Sequence, residues 1–194
     1  IRERLVLFLA IARAVAAAHS AGVLHKDLKP TNVLIEDTPR RRVRLADFGS
    51  GGLLSPQQLA EMGITQLGFT RTIEGSISGT PMYLAPELLT GAMPTTRSDV
   101  YSLGVMLYQM VVGDLRRPVS SGWEGQVADE LLCADIAGAV HGDPEQRTSS
   151  VDALVHSIHH LDERRQQKRE AELLRLHVEK TELALRAART RRPW

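Results

Sequence analysis

The chain has 194 residues, 43% of them hydrophobic and 4% aromatic, with a formal net charge of +1. That is the profile of a single globular unit able to bury a core, and its one cysteine, Cys133, excludes both an intramolecular disulfide and a cysteine-based zinc cluster. The near-neutral total hides a split: residues 162–192 hold ten Lys or Arg and six Asp or Glu, against fourteen and seventeen in the remainder.

In chain order, residues 2–20 read as an apolar helix closed by Gly22. Arg2 and Arg4 ahead of Leu5 to Ala12 imitate a secretory leader, but Arg13 breaks the run, and a buried helix is the better reading. Two short apolar runs, 33–35 and 43–46, flank a polar turn and predict a β-hairpin. Residues 47–87 form a long extended segment, with a short helix expected at 57–62 behind Pro56. Residues 96–112 are apolar around nearly their whole circumference, the pattern of a helix enclosed by others, and Gly113 stops it. Helices over 127–140 and 149–161 follow, the second capped by Ser149 or Ser150. Beyond Leu161 the composition turns to Arg, Gln, Glu, Ala and Leu, with no Pro or Gly before Pro193, which predicts one long helix. The domain boundary is accordingly placed between 1–161 and 162–194.

The chemistry concentrates in His25-Lys26-Asp27-Leu28-Lys29-Pro30-Thr31-Asn32 and in Asp47-Phe48-Gly49. A hairpin brings its outer ends together, so Asp27, Lys29, Asn32 and Asp47 are expected to converge at one edge. Hard oxygen donors from Asn32 and Asp47 suit Mg2+ on a nucleoside triphosphate. Lys29 suits the charge of a transferred phosphoryl group, and Asp27 suits orientation of an incoming hydroxyl.

These blocks, with Gly79-Thr80-Pro81-Met82-Tyr83-Leu84-Ala85-Pro86-Glu87, Ser98-Asp99-Val100-Tyr101-Ser102-Leu103-Gly104 and Asp143-Pro144-Glu145-Gln146-Arg147, stand in one order over residues 25–147. In that order the chain resembles the eukaryotic-type protein kinase family, in its bacterial-looking serine/threonine branch. The resemblance implies the large, mainly α lobe of a kinase (α+β overall) with a small hairpin at the catalytic loop. It also implies ATP and Mg2+ as cofactors, Leu34 and Ala46 against the nucleotide base, a Glu87–Arg147 pair tying the end of the activation segment to the helical core, and Asp99 anchoring the catalytic-loop backbone. Lys26 stands where the family usually has Arg, and it offers a point charge instead of a bidentate fork to a loop phosphate. Thr70, Thr72, Ser76 and Ser78 are the candidate phosphate acceptors in that segment.

Between Ile1 and the His25 block the sequence holds no glycine-rich lid, Val-Ala-Ile-Lys strand or partner Glu helix. The expectation is a partial kinase domain lacking its N-terminal β-lobe, active in the parent protein and weak in isolation. The rival class is an inactive kinase-fold scaffold, against which the complete catalytic set argues. In the tail, Leu173, Leu176, Leu183 and Ala187 sketch a partial heptad seam for a dimer. The arginine cluster before Trp194 is similar to a juxtamembrane flank, with membrane attachment through a span beyond Trp194. The expected location is cytoplasmic, on the inner membrane face in the full-length protein. The tail's basic residues are interleaved with acids and carry no stacking aromatics before Trp194, so nucleic acid is not expected as a partner.

Overall fold

In helix α1 (Arg2–Ser20) the buried residues Phe8, Ile11, Ala12, Val15 and Ala16 recur three and four apart, which puts them on one face. That face packs against the two longest-range neighbours of the helix, α3 (Thr96–Val112) and α5 (Val151–His159). The computed structural model describes residues 1–36, 42–48 and 80–190. The short helix expected at 57–62 and the candidate acceptors Thr70, Thr72, Ser76 and Ser78 lie outside the described residues. The chain divides into two units, Ile1–His159 and His160–Trp194.

Strands β1 (Val33–Ile35) and β2 (Val43–Leu45) pair antiparallel, with Val33 opposite Leu45 and Ile35 opposite Val43. The second strand is one residue shorter than its apolar run, and Ala46 just beyond it donates its N–H to the Asn32 carbonyl at 2.9 Å, in register with the strand pairing. Helix α2 (Pro86–Leu89) opens on a proline, whose missing N–H costs nothing at a first helical position.

Helix α3 is the centre of the first unit: from Ser98 to Val111 every residue except Tyr101 is buried. Leu103 and Leu107 have no accessible surface, and each such side chain contributes about 1.5–3 kcal/mol on leaving water. Gly113 ends the helix in a left-handed conformation, φ 86°. There the Arg4 guanidinium donates to the Met110 carbonyl at 2.9 Å and the Val111 carbonyl at 3.3 Å, satisfying acceptors that the helix end leaves over.

Helix α4 (Glu130–Ala139) crosses α3 at Gly104, where an added Cβ would fall 2.7 Å from the Ala139 Cβ and 2.8 Å from the Val140 Cγ1. Gly104→Ala is therefore expected to push the two helices apart and to cost about 1–3 kcal/mol, the range for overpacking a core. An unchanged urea midpoint would show that the crossing is looser than described.

The helix predicted at 127–140 starts later, at Glu130, because Asp129 caps it by accepting the Leu132 N–H at 2.8 Å. Residues Trp123–Gln126 form a separate 3-10 turn that buries Trp123 edge-on against Tyr108, ring centroids 5.3 Å apart. Helix α5 is likewise shorter than 149–161, with the Ser150 hydroxyl accepting the Ala153 N–H at 3.1 Å. The second unit contains one helix, α6 (Leu161–Thr190). Among the described residues, no helix is long and apolar enough to cross a membrane.

Candidate active site

The site is built upward from Asp99, a carboxylate 1% exposed in the first turn of α3. It accepts the backbone N–H of His25 at 2.9 Å on Oδ2 and that of Lys26 at 2.9 Å on Oδ1, and His19 Nε2 lies 2.7 Å from Oδ2. These contacts fix a loop whose conformation is costly. Lys26 has φ 70°, in the left-handed region that a non-glycine residue enters only when its surroundings hold it there. Leu28, 1% exposed, anchors the next part of the loop in the core.

With the loop held, Asp27 and Lys29 emerge together: Lys29 Nζ donates to Asp27 Oδ2 at 2.7 Å, with the two side chains 22% and 20% exposed. Asn32, in the 3-10 turn Pro30–Asn32, turns its amide nitrogen toward the same residue and donates to the Asp27 carbonyl at 2.8 Å and to Oδ2 at 3.2 Å. Among the described residues, Oδ1 of Asp27 accepts no hydrogen bond and is the oxygen left for an incoming group.

The hairpin supplies the fourth residue. Because Val33 faces Leu45 and Ala46 bonds back to Asn32, Asp47 leaves β2 beside the start of β1, with φ 60° and an exposed side chain. Spending the Asn32 amide nitrogen on Asp27 leaves its carbonyl oxygen as the remaining donor atom. That oxygen and the Asp47 carboxylate are a hard, anionic donor set that fits a divalent cation. Leu34, 53% exposed, and Ala46, half-buried, lie on the same hairpin.

Phe48 packs on the loop: its ring centroid is 4.6 Å from that of the buried His25, and among the described residues neither nitrogen of that imidazole has a hydrogen-bond partner.

A second cluster fixes the far end of the segment. Arg147, whose side chain is 0% exposed, grips Glu87 with two bonds of 2.8 Å and also donates to the carbonyls of His141 at 2.8 Å and Arg97 at 2.9 Å. Ser98 Oγ adds a bond to Glu87 Oε1 at 3.1 Å. Burial pushes the Glu87 carboxyl up, but the Arg147 bond, a bond from its own backbone N–H, the Arg147 charge and the Ser98 bond together outweigh it and hold the group below its ordinary value. The guanidinium also lies 5.1 Å over the Tyr101 ring, a cation–π contact.

Two partners were not expected from the sequence. His19 is one of seven histidines, and nothing local marks Asp99, eighty residues on, as its partner. Gln109 sits fully buried in the apolar α3, accepting the Tyr83 hydroxyl at 2.8 Å and donating to the Arg117 carbonyl at 3.1 Å. Burial outweighs that bond and raises the Tyr83 hydroxyl above its ordinary value. The one available signal was a polar residue on an otherwise apolar helix, which calls for a buried partner.

Over residues 2–170 the chain matches the family model described as protein kinase domain. It is 41% identical over 112 residues to serine/threonine-protein kinase pkn2 of Myxococcus xanthus, an alignment covering 57% of this chain and 12% of that protein. With serine/threonine-protein kinase PkaA of Streptomyces coelicolor it shares 40% over 129 residues, 64% of this chain and 21% of that one. With serine/threonine-protein kinase mos of Patiria pectinifera it shares 35% over 182 residues, 77% and 48% respectively. Among solved structures it is similar to the Mycobacterium tuberculosis PknI kinase domain, with a TM-score of 0.57 and 26% identity, covering 81% of this chain and 54% of that one. The chain thus spans less than half the length of each of these sequence relatives.

Proposed function

This chain belongs to the protein kinase family, and from that membership we propose that it forms the catalytic part of a serine/threonine kinase moving the γ-phosphate of ATP to a protein hydroxyl. Members of the family use ATP with a divalent cation. The observation that carries the proposal is the Asp27 carboxylate, gripped on one oxygen by Lys29 and Asn32 and open on the other.

In this reading Oδ1 of Asp27 receives the hydrogen bond of the substrate Ser or Thr hydroxyl, aims its oxygen at the γ-phosphorus and takes its proton as the new P–O bond forms. The bond to ADP breaks on the opposite side. Lys29 holds Asp27 in place and offers its ammonium to the phosphoryl oxygens. Asn32 and Asp47 hold the divalent cation, which when bound neutralises phosphate charge. Leu34 and Ala46 offer the apolar surface of the hairpin to the base. Since ATP is the donor, the catalytic residues are placed on the cytoplasmic side.

The test is transfer of labelled γ-phosphate from Mg2+–ATP to a mixed protein substrate by the protein that carries this chain, followed by phosphoamino acid analysis. Phosphoserine and phosphothreonine are expected. Phosphotyrosine alone, or no transfer, overturns the proposal.

A further inference from the structure

Helix α6 leaves a broad apolar surface in water: Leu173, Leu174, Leu176, Val178, Leu183 and Leu185 are between 47% and 67% exposed. Their distribution around the axis is what distinguishes the occupants. At about 100° per residue, Glu182, Arg175, Arg186 and Glu179 fall within a strip about 60° wide, and the six apolar residues share the opposite arc of about 220° with Ala184, Lys180, His177 and Thr181.

A two-stranded seam uses one narrow stripe, so a single partner helix would cover only part of this arc. The stripe available to such a partner, Leu173, Leu176, Lys180, Leu183 and Ala187, places a lysine at a core position and is shorter than the three to four heptads a stable pair needs. A bilayer surface covers a wide arc at once, and a lysine inside the arc reaches its ammonium up to the headgroups while its stem stays among the acyl chains. Charge agrees with that partner. Residues 173–192 hold six Lys or Arg against two Glu, and both glutamates lie in the polar strip, turned away from the apolar arc.

We propose that the part of α6 from Leu173 onward lies flat in the interface of a membrane bearing acidic headgroups, with Leu173, Leu174, Leu176, Val178, Leu183 and Leu185 inserted and Glu179 and Glu182 facing water. This attachment is made by the helix itself and is independent of phosphoryl transfer.

The test is co-sedimentation of the full chain with vesicles of equal parts phosphatidylglycerol and phosphatidylcholine, and with phosphatidylcholine alone. The bound fraction on acidic vesicles is expected to exceed that on neutral ones at least tenfold and to fall as salt is added. Leu174→Glu with Leu185→Glu is expected to lower it at least tenfold, with helicity by circular dichroism unchanged. Glu182→Lys, on the polar strip, is expected to leave binding equal or tighter. Absence of binding to acidic vesicles, or binding that the double variant retains, overturns the proposal. A dimer in solution that the double variant dissociates, without vesicle binding, replaces the bilayer with a second copy of the chain.

Discussion

Asp27→Asn is expected to lower the phosphoryl transfer rate of the protein that carries this chain by about 10²–10⁴-fold, the range for removing a positioned general base. The substitution is nearly isosteric. An amide oxygen at this position still accepts from Lys29, whose ammonium lies 2.7 Å from Oδ2 in the native loop. What the amide cannot do is take a proton from a hydroxyl. The loss should therefore fall on kcat, with KM for ATP changed by no more than a few-fold, since Asn32 and Asp47 keep their places on the hairpin. Stopped-time assays with labelled ATP give both constants. Retention of more than a tenth of the native rate would remove Asp27 from the role of base.

Arg147→Ala is expected to destabilise the first unit by about 3–5 kcal/mol, the cost of leaving a buried charge without its partner. The side chain is 0% exposed, that of Glu87 only 14%, and the arginine also serves the carbonyls of His141, Arg97 and Gly142. Its removal leaves three acceptors and one carboxylate to find water in a closed site. Urea denaturation measures the difference, and a loss under about 1 kcal/mol would place the pair among exposed bridges of little consequence. Replacing both partners, Arg147→Met with Glu87→Leu, should recover part of the loss because no charge is then stranded.

The same pair sets a pH dependence. The Glu87 carboxyl titrates lower in the folded chain than its ordinary value of 4.5, so the folded state binds its proton less readily than the unfolded one. The stability it contributes is complete above the unfolded value and is lost as the pH falls through the folded one. Denaturation midpoints measured from neutral pH down to below 4.5 should decline in the native protein, and the decline should be shallower in Glu87→Gln.

How much of this was legible in the sequence depended on whether the signal was local. Helices 2–20 and 96–112 were readable to the residue, because each combines a long, mostly apolar run with a glycine close behind its end. The convergence of Asp27, Lys29 and Asn32 was readable because eight consecutive residues carry it. The helix expected at 127–140 starts too early because Val127 and Ala128 continue the apolar pattern, whereas the Asp129 side chain decides where the hydrogen-bonded turns begin. His19 and Gln109 were invisible for a different reason. Their partners lie on other elements, and a single histidine or glutamine carries no mark of what it will meet across a core.

The left-handed backbone at Lys26 and Asp47 has a bearing on which sequences this architecture tolerates. Each costs about 1–2 kcal/mol for a residue with a side chain, and at Lys26 the cost is met by the Asp99 carboxylate beneath the loop. A lineage that lost Asp99 would keep its helices, since α3 is held by apolar contacts, yet its catalytic turn would be free to relax. Glycine at position 26 would be the cheapest repair, so the two positions should drift together.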